Sequence, residues 1–460
     1  MLYFKTKWIK LAMALFFCNN LIAQNPTDTL VRLKEIIRLA PERYHLLISR
    51  KYEAEAAGRN VDVIKYSRLP VIDATYQTGI ATANNLIGVF NPYGVLPMTG
   101  PPSLSNNYNA ATGSAASVLL NWQAVTFGQR NAQINLSVVQ ANSQQSAFER
   151  ELFRHTINII STYLDVLLAY DVVTIHQHNI ERVQENLRQS RVLANSGIKP
   201  GVDTALFLSE FSKAKIGWLN AKKQLENLQW QLAQIIVTDA LPIPADTSFL
   251  HVLPDAVVIN DSSFTNHPVI RYEQSQVQLS ESKELLLRKS WLPRLNVWGT
   301  GFARGSGFAA NGTIKTWDGL GLSRYNYGAG VQLAFPIMKY GEVKRQLQQQ
   351  NLLTKAGQEN LLEEKSKLST QQHIANTTFE NSIAVAAETK EQLKSGLYAF
   401  SAIQTRYNTG LVNFADLIQA QYNLLKAELD VKQAYWDAWK ALLLQAAVKG
   451  DVNVFLNEIK

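Results

Sequence analysis

The chain has 460 residues, 45 basic and 37 acidic, for a net charge of +8. So small a basic excess over so long a chain argues against a nucleic-acid partner. With one cysteine in all, Cys18, a disulfide framework is excluded, and stability has to come from packing and assembly.

Residues 1–23 read as a secretory signal. Lys5, Lys7 and Lys10 form a basic start, residues 11–17 with Leu21 and Ile22 form a short apolar run, and Ala23 is a small residue before Gln24. The run is too short for a membrane-spanning helix. Phe16 and Phe17 disfavour a lipid anchor on Cys18, because such a signal wants small residues there. Removing the segment takes away three lysines and the cysteine, leaving 42 basic against 37 acidic residues, or +5. No later run of 18 or more apolar residues occurs, so any membrane crossing must use strands.

Residues 24–240 form a first structural repeat. A helix is expected over 26–66, where Leu30, Leu33, Ile36, Ile37, Leu46, Leu47 and Ile48 recur at helical spacing, with Pro41 as a break or the first turn of a second piece. At Leu69-Pro70 the period becomes two. Ile72, Ala74, Tyr76 and Ile80 face one way and Asp73, Thr75 and Gln77 the other, so 69–80 is a strand of membrane-crossing length. An Asn-, Pro- and Gly-rich loop over 81–113 leads to a second strand over 115–124. Residues 129–196 contain neither proline nor glycine and read as one helix, about 100 Å long if unbroken. Phe153, Ile157, Ile160, Leu164 and Leu167 give it a coiled-coil seam, while Gln133, Gln140, Gln144, Gln145, Asn158, Gln177 and Asn179 suggest a wet remainder. A shorter helix over 204–237 follows.

Residues 241–267 are an irregular connector, and 268–450 repeat the pattern. The expected elements are a helix to 290, a strand over 293–304, a Gly-rich loop, a strand over 325–336, a long helix over 342–409 and a helix over 417–448. Residues 451–460 read as a C-terminal tail. Gly197 and Gly410 are 213 residues apart, as are Asp203 and Asp416, Gly128 and Gly341, and Trp122 and Phe335. One register held this long is an internal duplication.

The fold class is mixed and mainly α. Four amphipathic strands cannot close a barrel, and an open strand edge is not tolerated in lipid, so strands have to be pooled between copies. Two copies would give eight strands and a plugged bore; three give twelve and room for a duct.

The order and spacing of these features resemble the TolC-type outer-membrane efflux proteins over nearly the whole chain after the leader. The likeness rests on the strand entries Leu69-Pro70 and Leu292-Pro293, the strand exits Phe127-Gly128 and Tyr340-Gly341, and the two Gly-to-Asp turns. It implies a homotrimer, a shared twelve-stranded barrel with four strands per chain in the outer-membrane lipid, and a periplasmic α-helical barrel. It also implies a periplasmic adaptor and an inner-membrane transporter as partners.

By the same resemblance the two helix-joining turns form the periplasmic tip. Asp416 matches an acidic ring position, and Asp203 and Tyr407 match members of a network that holds the tip closed. Gly197 and Gly410 mark turns where an adaptor docks. Val412 stands where the family's reference member has a basic gate residue, Gln419 where it has a second ring carboxylate, and Lys199 is basic at the equivalent offset in the first copy. Each Asp also fits the simpler role of helix cap, each Gly that of C-terminal stop, and Tyr407 that of seam packing. One residue can do both.

No other constellation carries chemistry. His176 and His178 are two apart and face different ways on a helix, Gly299, Gly301 and Gly305 miss dinucleotide-loop spacing, and Glu363 and Glu364 read as a solvated face. No cofactor, metal site or catalytic group is expected. The leading expectation is a passive exit duct of an efflux pump. The alternatives are the same duct in type I protein secretion, or a soluble periplasmic coiled-coil scaffold.

Overall fold

A computed structural model describes residues 29–82, 84, 90–91, 94–95, 105–197, 200–255, 264–309 and 313–459. The expected signal segment and Lys199 lie outside the described residues. The chain divides into two compact units, one made of residues 54–143 and 275–358, the other of the segments up to 53, 144–274 and from 359 on.

The first of these contains an antiparallel sheet of four strands among the described residues. They are β2 (Val71–Ala81), β3 (Ala111–Val125), β5 (Arg294–Ser306) and β6 (Arg324–Ala334), neighbours in that order. The duplication is written into the register. Val71 pairs with Asn121 and Arg294 with Ala334; the entering strands differ by 223 and the returning strands by 213. The first hairpin therefore has ten more residues between equivalent pairs. Strand β3 begins four residues earlier than its alternation predicted, because Ala111, Thr112 and Ser114 are buried beneath the loop after β5. Thr112 N donates to Thr316 O at 2.8 Å and Ser114 Oγ to Gly319 O at 2.7 Å.

Alternation sorts the sheet into two chemical faces. One carries Ile72, Tyr76, Ile80, Val118, Tyr325, Tyr327, Val331 and Leu333, each at least half exposed. The other carries Asp73, Thr75, Gln77, Ser117, Asn121, Thr300, Asn326 and Gln332, with Thr75 Oγ1 and Ser117 Oγ bonded at 2.7 Å. Four helical pieces complete this unit, from α2 (His45–Tyr66), α3 (Gln129–Asn195), α5 (Pro268–Lys289) and α6 (Lys339–Asn408).

The second unit is helical and holds the main core. The long helix expected at the start is interrupted there. Residues Thr29–Val31 form strand β1, parallel to β4 (Pro242–Pro244), followed by α1 (Leu33–Leu39) and a 3-10 turn at Ala40–Glu42 around Pro41. The connector explains the change: pairing with 242–244 satisfies the backbone of 29–31, and Asp246 Oδ2 accepts from Leu33 N at 2.8 Å. The Tyr163 hydroxyl sits between Asp246 Oδ2, at 2.9 Å, and Val31 O, at 3.1 Å. Burial first, then the Asp246 charge, raises its pKa well above the usual phenol value.

Around it Ile159, Ile160, Tyr163, Leu164 and Val166 of α3 are fully buried with Leu232 of α4 (Gly201–Ile236) and Leu442 and Ala446 of α7 (Phe414–Lys449). The apolar stretch of α3 is thus core. Half-buried ion pairs tie α3 to α7: Lys440 to Asp165 at 2.8 Å, Lys432 to Asp171 at 2.9 Å, and Arg182 to Glu428 through two contacts of 2.6 Å. The stretch expected as a tail turns into a short helix, α8 (Asn453–Leu456), whose Phe455 is fully buried against Phe249 and Trp439.

The remaining boundaries lie close to expectation, with two differences that matter below. Helices α4 and α7 each start three residues early, at Gly201 and Phe414. Asp203 and Asp416 are therefore third residues of their helices, not the caps before them.

Candidate functional site

The two helix-joining turns meet in a small core of their own within the helical unit. Leu187, Phe207, Phe400, Tyr407, Leu417 and Leu424 are buried there, with Leu193, Val412 and Phe414 packed against them. Phe379, Leu393, Phe400 and Tyr407 recur at multiples of seven along α6, and this heptad phase carries Tyr407 inward. Phe207 of α4 meets Tyr407 and Phe414 edge to face, at centroid distances of 5.9 and 4.7 Å.

Each long helix stops at a glycine. Gly197 has φ +75° and Gly410 φ +82°, a conformation that favours glycine. At the second turn, Gly410 N donates to Tyr407 O at 3.0 Å and Leu411 N to Arg406 O at 2.8 Å, the paired bonds of a Schellman stop. The first turn shows the matching bond from Gly197 N to Ala194 O at 3.1 Å.

The two aspartates occupy equivalent positions and have different partners. Asn413 caps α7: its Oδ1 accepts from Asp416 N at 2.9 Å, and Asp416 Oδ2 returns a longer contact of 3.4 Å to Asn413 N. That is a capping box with Asp in the third-residue role, and the Asp416 side chain is otherwise exposed. In the first copy the N-cap is Pro200, which has no side-chain acceptor to offer. Asp203 instead takes the hydroxyl of Tyr407, with Oη to Oδ2 at 3.1 Å. Tyr407 is 1% exposed, and burial together with the Asp203 charge pushes its pKa up to about 12.

The structure thus brings together Tyr407 and Asp203, places Gly197 and Gly410 at helix stops, and sets Asp416 in its own cap. Val412 packs against the apolar cluster, and Gln419 donates to Asn423 at 2.9 Å. Tyr422 of α7 donates to Glu210 of α4, a second tyrosine-to-carboxylate contact whose phenol is also raised to about 12, by burial first. His176 lies against Gly217 while His178 is exposed.

Sequence reasoning missed a buried amide relay behind the turns. Gln404 donates to Asn186 at 3.1 Å, Asn186 to Gln421 at 3.1 Å, and Gln421 to Asn179 at 3.2 Å, crossing α6, α3 and α7. Asn179, expected on a wet surface, is buried, as are Asn186 and Gln421. The missed signal is spacing: Asn179 and Asn186 are seven apart and share the buried stripe of Val183 and Ser190. Asn413 carries a second unused signal, since Asn-x-x-Asp is a capping-box pattern.

Residues 261–444 match the family described as outer membrane efflux protein. The fold is that of solved outer-membrane channels. The Campylobacter jejuni CmeC outer membrane channel aligns with TM-score 0.73 at 15% identity, over 91% of this chain and 85% of its own. The open state of the Neisseria gonorrhoeae MtrE outer membrane channel aligns with TM-score 0.71 at 15% identity, over 91% and 89%. The outer membrane protein VceC from Vibrio cholerae aligns with TM-score 0.70 at 10% identity, over 91% and 96%. No curated protein sequence matches the chain. The likeness read from strand entries, strand exits and turns holds in both comparisons that do match.

Proposed function

From a chain of outer membrane efflux protein type over 261–444 and of outer-membrane channel fold throughout, we propose a trimeric duct across the outer membrane, serving as the exit of an efflux pump. One observation carries the reading: a sheet whose apolar face leaves Ile72, Tyr76, Ile80, Tyr327 and Val331 more than half exposed and whose end strands, β2 and β6, each have one neighbour among the described residues. Such a face needs lipid, and such edges need partners. Pairing β2 of one copy with β6 of the next closes both at once. Three copies give twelve strands around a bore lined by Asp73, Thr75, Gln77 and Gln332, while Tyr325 and Tyr327 suit an interfacial girdle.

The helical unit would line the periplasmic part of the duct, and the turn core would be its gate. Tyr407 bonded to Asp203 holds the two turns of one chain together. The exposed Asp416, repeated threefold, would present carboxylates to the passage and favour cations there. Lys199 is assigned to the same mouth, and the Gly197 and Gly410 turns to contact with a periplasmic adaptor linked to an inner-membrane transporter.

The test is fractionation followed by reconstitution. The full chain should enter the outer-membrane fraction, run in detergent at three times the protomer mass, and conduct in planar bilayers. Recovery in the soluble periplasmic fraction would support the coiled-coil scaffold and sink the channel.

A further inference from the structure

At the loop end of the sheet, the last register position of β5 and β6 pairs Arg304 with Arg324. Directly opposed residues on antiparallel strands hold their Cβ atoms about 5 Å apart, and like charges there are destabilising. Both side chains are exposed. Neither guanidinium forms an ion pair among the described residues. The nearby loop charges, Lys315 and Asp318, are paired with each other at 3.6 Å. On the same face, Asp73 stands in the row of Leu119, Thr300 and Gly328. That row is four residues back along β5, about 13 Å away, and three strands across.

The pair belongs to the polar face, since Ala303 and Tyr325 beside it occupy the apolar one. Along that polar face β5 also carries Phe302 and Trp298. The Trp298 ring lies flat over β6: a side chain on Gly330 would come within 2.7 Å of it, and one on Gly328 within 3.4 Å. The two glycines make room for that ring, which lies six residues, about 20 Å, from Arg304 along β5. The Phe302 ring beside two uncompensated guanidiniums matches an amphipathic anion.

We propose that Arg304 and Arg324, with Phe302, form an anion-binding site on the polar face of the sheet at its loop end. Its ligand class is a solute bearing sulfonate, phosphate or carboxylate on an apolar body. Guanidiniums take such groups through paired charge-assisted hydrogen bonds, which also relieve the repulsion within the pair. The site rests on the channel reading, under which the polar face lines the bore and three chains would put six arginines around its outer mouth. The duct would then carry selective charge of both signs, the carboxylates of Asp416 and the guanidiniums of this pair.

The experiment records single channels of the full trimer in neutral phosphatidylcholine bilayers, with naphthalene-2-sulfonate added from the loop side. The wild type should be blocked by the sulfonate at lower concentration than by inorganic sulfate. The double variant Arg304→Gln/Arg324→Gln should need about tenfold more sulfonate, the loss expected for charge-assisted bonds. The double Arg→Lys variant should retain most of the block, and all variants should keep the trimer mass. Equal block of wild type and the Gln variant overturns the site while leaving the channel standing. No conductance from any variant overturns the channel reading, and the site with it. A block that appears only when lipopolysaccharide is added would mark the pair as a lipid-phosphate site and overturn its assignment to solutes.

Discussion

Tyr407 donates its hydroxyl hydrogen to Asp203 over 3.1 Å, from the second copy of the duplication to the first. The reciprocal bond is impossible, because Ala194 stands 213 residues before Tyr407. This directional link between the copies is backed by the ring of Phe207. Tyr407→Phe keeps the ring and removes the bond, and should cost about 1 kcal/mol of local stability at this half-solvated acceptor. Faster amide hydrogen exchange over both turns, with the main core around Tyr163 unchanged, is the expected readout. Asp203→Asn should be milder, since an amide oxygen still accepts. Equal protection in wild type and Tyr407→Phe would remove this bond from the gate.

The capping difference between the copies gives a second contrast. Asn413→Ala removes the acceptor for Asp416 N and should destabilise the start of α7 by about 1 kcal/mol. Pro200→Ala, at the equivalent position, removes no side-chain acceptor and should be near neutral. Thermal unfolding of the two variants in detergent, beside the wild type, checks the ranking; equal losses would contradict it.

Much of this was legible in the sequence because it is periodic. Alternation located the four strands, and the absence of Gly and Pro over 129–196 located the long helix. The common offset of 213 revealed the duplication that later appeared as matched hairpin registers. What escaped was set by partners distant in sequence. Residues 29–31 look helical by spacing, yet they pair with 242–244, a choice no local pattern records. Asn179 reads as a wet surface residue by its polarity, whereas it is satisfied inside the core by Gln421. The Asp pair was recognised as special, but the capping role of Asn413 changes what Asp416 does, and the empty cap at Pro200 leaves Asp203 available to Tyr407.

The pH response of the tip follows from Tyr407. Its phenol is raised from the ordinary 10 to about 12 by burial and by the Asp203 charge. A raised acid retains its proton in the fold where the unfolded chain has lost it. The stabilisation is therefore fully present below pH 10 and is lost as pH rises through about 12. Tyrosinate absorbance should show one phenol fewer ionising near pH 12 in Tyr407→Phe than in wild type, and the variant's melting temperature should fall less steeply between pH 10 and 12. Tyr422 is raised similarly, so part of the slope should survive. Identical slopes would place the alkaline sensitivity elsewhere.

The amide relay should be costlier to break than the gate bond, because its members are buried. Gln421→Leu is close in size but strips Asn186 and Asn179 of a shared partner. A buried polar group left without its bond costs about 1–3 kcal/mol, so the substitution should lower stability despite adding apolar surface. Replacing Asn179, Asn186 and Gln421 together by leucines removes the orphaned groups and should recover part of the loss. A Gln421→Leu protein as stable as wild type, by denaturant unfolding of the helical unit's tryptophans, would show the relay to be dispensable.

Gly319 tests the loop that covers the sheet. A side chain there would overlap the carbonyl of Thr112, and backbone cannot swing aside as a side chain could. Gly319→Ala should therefore unseat the loop from Thr112 and Ser114, breaking the bond from Ser114 Oγ to Gly319 O and lowering the stability of the sheet unit by about 1–3 kcal/mol. Gly301→Ala is the control, since it lies in β5 of the same sheet with open space around it. A cysteine at Ala111, buried beneath the loop, in otherwise cysteine-free mature protein offers a direct reading. Its labelling by a water-soluble maleimide should be slow in the parent and fast with Gly319→Ala, while Gly301→Ala leaves it slow. Slow labelling with Gly319→Ala as well would mean that the loop accommodates the methyl and that the close approach is not what seats it.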